Sequence, residues 1–221
     1  MTINGVKLEN PPTIYEFPKI WHNLAFIASY FKIFLAIIVI VLVSNEFSFN
    51  TIRLNIVNGL SREDFFISKL LMILLLSLGS TIFIFLLSLI LGFIYSPSTD
   101  INFVFSNIKY VGGYFVQVIT FLIFAFFIAF WLKRSGLAIG LLILYRFIIE
   151  PVICLALPSN IDNYLPMHAL NNLIKMPGIS FLQMFGINFH AVVPVSNLIV
   201  SITYALIFTY LTYLIIKKRD I

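Results

Sequence analysis

The charged side chains of this chain are so sparse and so clustered that they partition it unaided. A helix that crosses a bilayer needs about 20 mostly apolar residues, each rising about 1.5 Å. Five stretches meet that requirement: about 24–44, interrupted by Lys32; about 70–95; 110–132; 136 to about 157, containing Arg146 and Glu150; and 195–216. The remaining composition agrees. Hydrophobic residues make up 61% and charged residues 10% of the 221, against roughly 45–50% and about 25% in a soluble domain. A mean hydropathy of +1.04 is more apolar surface than one water-facing core can hide. The expected fold is all-α, a polytopic transmembrane helix bundle forming one domain over residues 1–221.

In such a chain the net charge of +5 reports orientation before it reports nucleic acid, which we exclude as a partner. Arg53, Arg62, Lys69, Lys133, Arg134, Lys217, Lys218 and Arg219 fall on one side of the five spans, and Lys7, Lys19, Lys109 and Lys175 on the other. Short cytoplasmic segments carry the Lys/Arg excess, so the first side is cytoplasmic. The C-terminus is then inside, and the N-terminus outside. Residues 1–8 lack the basic-then-apolar pattern of a signal peptide. Cys154 is the single cysteine, which excludes an intrachain disulfide and a cysteine-cluster metal site.

The connection between the first two spans, 45–64, is polar yet patterned. Ile52 and Ile56 are four apart with Arg53 and Asn55 turned elsewhere, so residues 50–57 predict a short amphipathic helix against the membrane face. Asn58-Gly59 ends it, because glycine accepts the positive φ of a helix C-terminus. Ser61 with Asp64 three residues on predicts a capped start for the next helix. Near the outer side, 165–174 and 179–189 are apolar, bracketed by prolines, and too short to cross; interfacial or re-entrant placement is expected.

Charge at bilayer depth costs on the order of 2.5–3.5 kcal/mol per residue, so Arg146 and Glu150 should face away from lipid. Four residues apart in a helix, they share a face and can pair. That pair serves either a translocation path or proton relay, or the packing of helices between subunits. Lys32 is expected to reach outward water by extending its stem. Trp21, Tyr95, Tyr110, Trp131 and Tyr164 lie near span ends and read as an aromatic belt. The histidines 22, 168 and 190 share no helical ligand spacing and read as interfacial packing rather than metal ligands. Ala125/Ala129 and Gly136/Gly140 have the small-residue spacing of helix contact faces.

Within 45–69, Glu46, Thr51, Arg53, Ser61, Arg62 and Lys69 resemble the Glu, Thr, Arg, Ser-Arg and Lys pattern of the type-2 membrane-domain (permease) family of ATP-binding-cassette transporters; residues 18–23 are also similar to bacterial members. The resemblance implies that this connection is a coupling helix that docks on a separate ATPase subunit, with Glu46, Thr51, Arg53, Asn55, Gly59, Ser61 and Arg62 as its coupling residues. It also implies a second permease subunit, identical or related, and a bacterial plasma-membrane location. Family members usually have six spans with both ends cytoplasmic, so relative to that pattern the first span and its preceding helix are expected to be missing here.

No Gly-Lys pair occurs in the chain, so the glycine-rich phosphate loop of an ATPase is lacking. ATP and magnesium are expected in the partner, with no cofactor, metal or catalytic residue in this chain. The function implied is ATP-driven export of a hydrophobic or amphipathic substrate. The alternative is a stand-alone secondary transporter or channel component using Arg146 and Glu150.

Overall fold

The computed structural model of the chain describes residues 2–3, 6–7, 15–49, 51, 54, 59, 61–97, 100–157, 162–177 and 193–218. Five helical units are long and apolar enough to cross a membrane: Ile20–Ser48, Arg62–Tyr95, Ile101–Leu132, Ser135–Ala156 and Val195–Lys218. We label the helices α1 (Ile20–Ser48), α2 (Arg62–Tyr95), α3 (Ile101–Phe105), α4 (Lys109–Leu132), α5 (Ser135–Leu144), α6 (Glu150–Ala156), α7 (Pro166–Leu173) and α8 (Val195–Lys218). A π-helical turn, Tyr145–Ile149, joins α5 to α6. Near the start, Thr2–Ile3 and Val6–Lys7 form a two-residue antiparallel ladder.

All five expected spans are present, and the helices overrun their apolar limits. α2 begins eight residues before the apolar stretch does, at Arg62. Hydropathy marks where lipid begins; a helix ends where its backbone donors and acceptors find other partners. Ser61 supplies such a partner, accepting from the Asp64 amide at 3.0 Å.

Helix α4 is the centre of the bundle and touches α1, α2, α5, α7 and α8. In the unit that contains it, 67% of the apolar window is buried, against 11% for α2 and 17% for α8. Phe121, Leu122, Ala125, Phe126, Ala129 and Phe130 give α4 its inner face. Ala125 and Ala129 are wholly buried, as their spacing predicts; small side chains let neighbouring backbones come close. A Cβ added at Gly136 or Gly140 would meet nothing, so within this chain that pair is not a contact face. Buried hydroxyls return to their own helix: Ser77 donates to Ile73 O at 2.8 Å, Ser88 to Ile84 O and Ser201 to Asn197 O, both at 2.7 Å. Such bonds satisfy a polar group where no water is present.

The two ends of the bundle differ in character. At one end lie Lys19, Lys109 and Lys175, with Trp21 Nε1 donating to Val104 O at 2.6 Å and Tyr204 Oη to Tyr164 O at 2.9 Å. At the other lie Arg62, Lys69, Lys133, Arg134, Lys217 and Lys218, where Tyr213 Oη donates to Glu63 Oε1 at 3.0 Å.

Two expected belt residues are instead core. Trp21 is fully buried and Tyr110 is 1% exposed. Trp21 stacks on Phe85 and Phe105 with centroids 5.4 and 6.3 Å away, and Tyr110 stacks on His22 at 4.2 Å. Trp21 is covered by Phe85 of α2 and by α3, which supplies Phe105 and the Val104 carbonyl, while Tyr110 is covered by His22 of α1. Tyr95, Trp131 and Tyr164 remain exposed.

Candidate functional site

Two groups of residues carry chemistry beyond packing: the connection at the basic end, and a set of charged side chains inside the bundle.

At the basic end, α1 runs out at Ser48 and the Phe49 amide caps back to Asn45 O at 2.9 Å. Thr51 is helical and its hydroxyl donates to Glu46 O at 3.3 Å, folding the chain back on the last turn of α1. Gly59 has φ +98°, the left-handed backbone that a side chain resists. Ser61 is then the N-cap of α2, exchanging hydrogen bonds with Asp64. Glycine break and serine cap therefore occur where the local sequence placed them. Thr51 and Leu54 have helical backbone; the rest of the helix expected over 50–57, including Arg53 and Asn55, lies outside the described residues. Arg62 donates from Nη1 to Lys217 O at 3.5 Å and so ties the start of α2 to the end of α8.

Beneath the connection, Lys69 of α2 forms an ion pair with Glu46 of α1, the one salt bridge among the described residues. Lys69 Nζ also lies 5.2 Å from the Phe65 ring, and Lys133 Nζ lies 5.3 Å from the Phe47 ring. Phe47 meets Phe130 edge to face at 5.2 Å. The ends of α1, α2 and α4 are thereby clamped together by one ion pair and an aromatic floor. The paired side chains are 18% and 20% exposed, between the surface case worth about 0–1 kcal/mol and the buried case, where breaking a pair costs about 3–5. Glu46→Lys is expected to destabilise the bundle by about 1–3 kcal/mol. The exchanged pair Glu46→Lys/Lys69→Glu should recover most of that loss in thermal unfolding in detergent. No recovery would mean that the pair does not clamp the helices.

Inside the bundle, the expected Arg146–Glu150 pair is not made. Arg146 lies in the π-helical turn Tyr145–Ile149 and Glu150 directly after it; the turn adds a residue, so i and i+4 no longer stack as they do in an α-helix. Pro151 follows directly, and its missing N–H removes the donor a regular helix would need there. Glu150 turns instead to α7, where Oε1 accepts a short hydrogen bond from the His168 amide. Pro166 occupies the first position of α7, so this carboxylate covers the first turn, where free amides and the helix dipole favour negative charge. Glu150 is 2% exposed. Arg146 donates from Nη1 to Asn171 Oδ1 at 3.3 Å, also on α7. Both charges thus hold the outer helix α7 against the bundle, a placement expected of 165–174 as a non-spanning segment; 179–189 lies outside the described residues.

Lys32 departs most from its sequence reading. It reaches no outer water: it is wholly buried, with Nζ 5.3 Å from the Phe121 ring centre. Its helical neighbours Ala25, Ala28, Ser29 and Ala36 are all buried too, so this face of α1 packs on protein along its length. His22 is held by packing and by a 2.7 Å hydrogen bond between Nε2 and Lys175 O. His168 Nδ1 lies 3.6 Å from Cys154 Sγ, and His190 lies outside the described residues. Among the described residues no three His, Cys, Asp or Glu side chains converge as a metal site would require.

The family model described as a protein of unknown function, DUF2705, matches residues 3–221. The chain belongs to this family. No curated protein matches it. In this DUF2705 member two places carry chemistry. The basic end offers a braced connection between two spans. The interior offers buried polar groups, and an apolar groove of about 650 Å³ lies between α1, α2 and α4, lined by Leu24, Phe31, Phe83, Leu87 and Tyr114 among others. One polar point marks that groove, the 2.7 Å hydrogen bond between Ser80 Oγ and Tyr114 Oη.

Proposed function

We propose that this protein is the permease subunit of an ATP-binding-cassette exporter in a bacterial plasma membrane, moving a hydrophobic or amphipathic substrate with energy from a separate ATPase subunit. The observation that carries the reading is the braced connection: Thr51, Gly59 and the Ser61 cap shape the link between α1 and α2, while Glu46 and Lys69 fasten both helices beneath it. A push on such a link reaches two spans together. Its position among Arg62, Lys69, Lys133, Lys217 and Lys218 fits a cytoplasmic face under the distribution of basic residues. The low burial of α2, α5 and α8 within one chain leaves apolar helix surface for lipid and for a second permease subunit.

The test is an affinity pull-down of the tagged protein from its native membrane, with mass spectrometry of companions and an ATPase assay. A stoichiometric ATP-binding-cassette ATPase is expected, and the double variant Arg53→Ala/Arg62→Ala is expected to lose it while still inserting. A well-folded sample with no ATPase, or docking unchanged in the double variant, would remove the coupling role.

A further inference from the structure

Lys32 and Arg146 come from different helices and converge on one ring: Lys32 Nζ lies 5.3 Å and the Arg146 guanidinium carbon 5.5 Å from the centre of Phe121. Lys32 is 0% exposed and its Nζ has no hydrogen-bond partner; the buried Arg146 Nε has none either. Lys32 lies 12 residues into α1 and Arg146 lies within the π-helical turn, so neither is near the end of its helical unit. Among the described acidic residues, Glu150 is the one that acts on Arg146; its Oε1 accepts from the His168 amide and its Oε2 has no hydrogen-bond partner. Glu150 faces two basic groups, Lys32 and Arg146, so among the described residues one of the two is left without an acidic partner. A buried charge without a counter-charge is costly.

We propose that Lys32 and Arg146 form a binding site for an oxyanion, the phosphate or carboxylate head of an amphipathic molecule, seated against Phe121. Guanidinium and ammonium together supply what such a group needs: a planar donor fork on one side and a point charge on the other. Arg146 is only partly buried, and Tyr30, two residues before Lys32 in α1, is 56% exposed. An amphiphile entering from the bilayer can reach the guanidinium side of the pair, while Lys32 Nζ is enclosed. This inference does not depend on an ATPase partner.

The test uses the full chain purified in a neutral detergent, with dihexanoyl phosphatidylglycerol, dihexanoyl phosphatidylcholine, decanoate and inorganic phosphate as probes. Thermal unfolding and native mass spectrometry are the readouts. Anionic probes are expected to raise the melting temperature, with one molecule retained, while phosphatidylcholine does not. In Lys32→Met and in Arg146→Gln the affinity should fall at least tenfold. Lys32→Met should also melt no lower than wild type in the absence of probe, since it removes an unpartnered buried polar group. A response to phosphatidylglycerol or decanoate but not to inorganic phosphate assigns an amphiphile from the membrane; a response to inorganic phosphate as well assigns the oxyanion itself as sufficient. Equal responses to phosphatidylglycerol and phosphatidylcholine, or responses unchanged in both variants, overturn the site. So does a melting temperature that no anion moves.

Discussion

Replacing Trp21 with alanine is expected to destabilise the bundle by about 3–5 kcal/mol, the range for truncating a large buried aromatic. The indole is enclosed on all sides. It stacks on Phe85 of α2 and Phe105 of α3, lies 5.9 Å from Phe17, and donates to Val104 O at 2.6 Å. Truncation opens a cavity where three helices meet and leaves a buried carbonyl without its donor. Trp21→Phe should cost less, since it keeps the stacking and loses only the hydrogen bond and part of the volume. Thermal unfolding in detergent measures both. If Trp21 were an interfacial anchor against lipid, as its position near a span end suggests, the alanine variant would unfold within about a kcal/mol of wild type, and the packing described here would be wrong.

The second large effect is expected at Glu150. Removing its carboxylate in Glu150→Ala leaves the first turn of α7 without the anion that its amides and dipole favour. Hydrogen bonds to charged groups contribute about 1.5–3 kcal/mol, and leaving a buried donor bare costs in the same direction. The local consequence is undocking of Pro166–Leu173, read as backbone hydrogen exchange at His168 faster by tenfold or more, since about 1.4 kcal/mol is a factor of ten. Glu150→Gln keeps an acceptor and loses the charge, so its exchange rate should fall between the two. Unchanged protection of His168 in Glu150→Ala would return Glu150 to the transport roles that its depth in the chain first raised.

These two residues also separate what could be read from the sequence from what could not. The five spans were legible because hydropathy is a sum over neighbours in the chain, and nothing distant alters it. Gly59 and Ser61 were legible for a related reason: a left-handed glycine and a serine cap act within a single turn, and their partners are a few residues away. Arg146 and Glu150 had the spacing of an ion pair only under regular α-helical geometry. The π-helical turn before Pro151 changes that geometry, and α7 provides the competing partners. Nothing in the local sequence announces the turn except the proline itself.

Lys32 makes the same point at the candidate anion site. A single lysine in an apolar run is ordinarily placed by letting its stem reach water, and that reading ignores what lies alongside. Here the neighbouring small residues Ala25, Ala28, Ser29 and Ala36 let α1 pack on the central helix, and the ammonium group ends over Phe121 rather than at the outer surface. Which helix those small residues meet is set by packing between distant parts of the chain.

The all-α class, the five membrane-length helices, the gathering of basic residues at alternate connections, and the turn chemistry at Gly59 and Ser61 could all be read along the chain. Each follows from properties that add along the chain: apolar length, charge position and short-range backbone geometry. Only the tertiary structure decided that α4 is central, that α3 roofs Trp21, that Glu46 pairs with Lys69 across the connection, that Glu150 serves α7, and that Lys32 and Arg146 share one ring. Each of these depends on which helices meet and at what rotation, and that is set by packing between residues far apart in the chain.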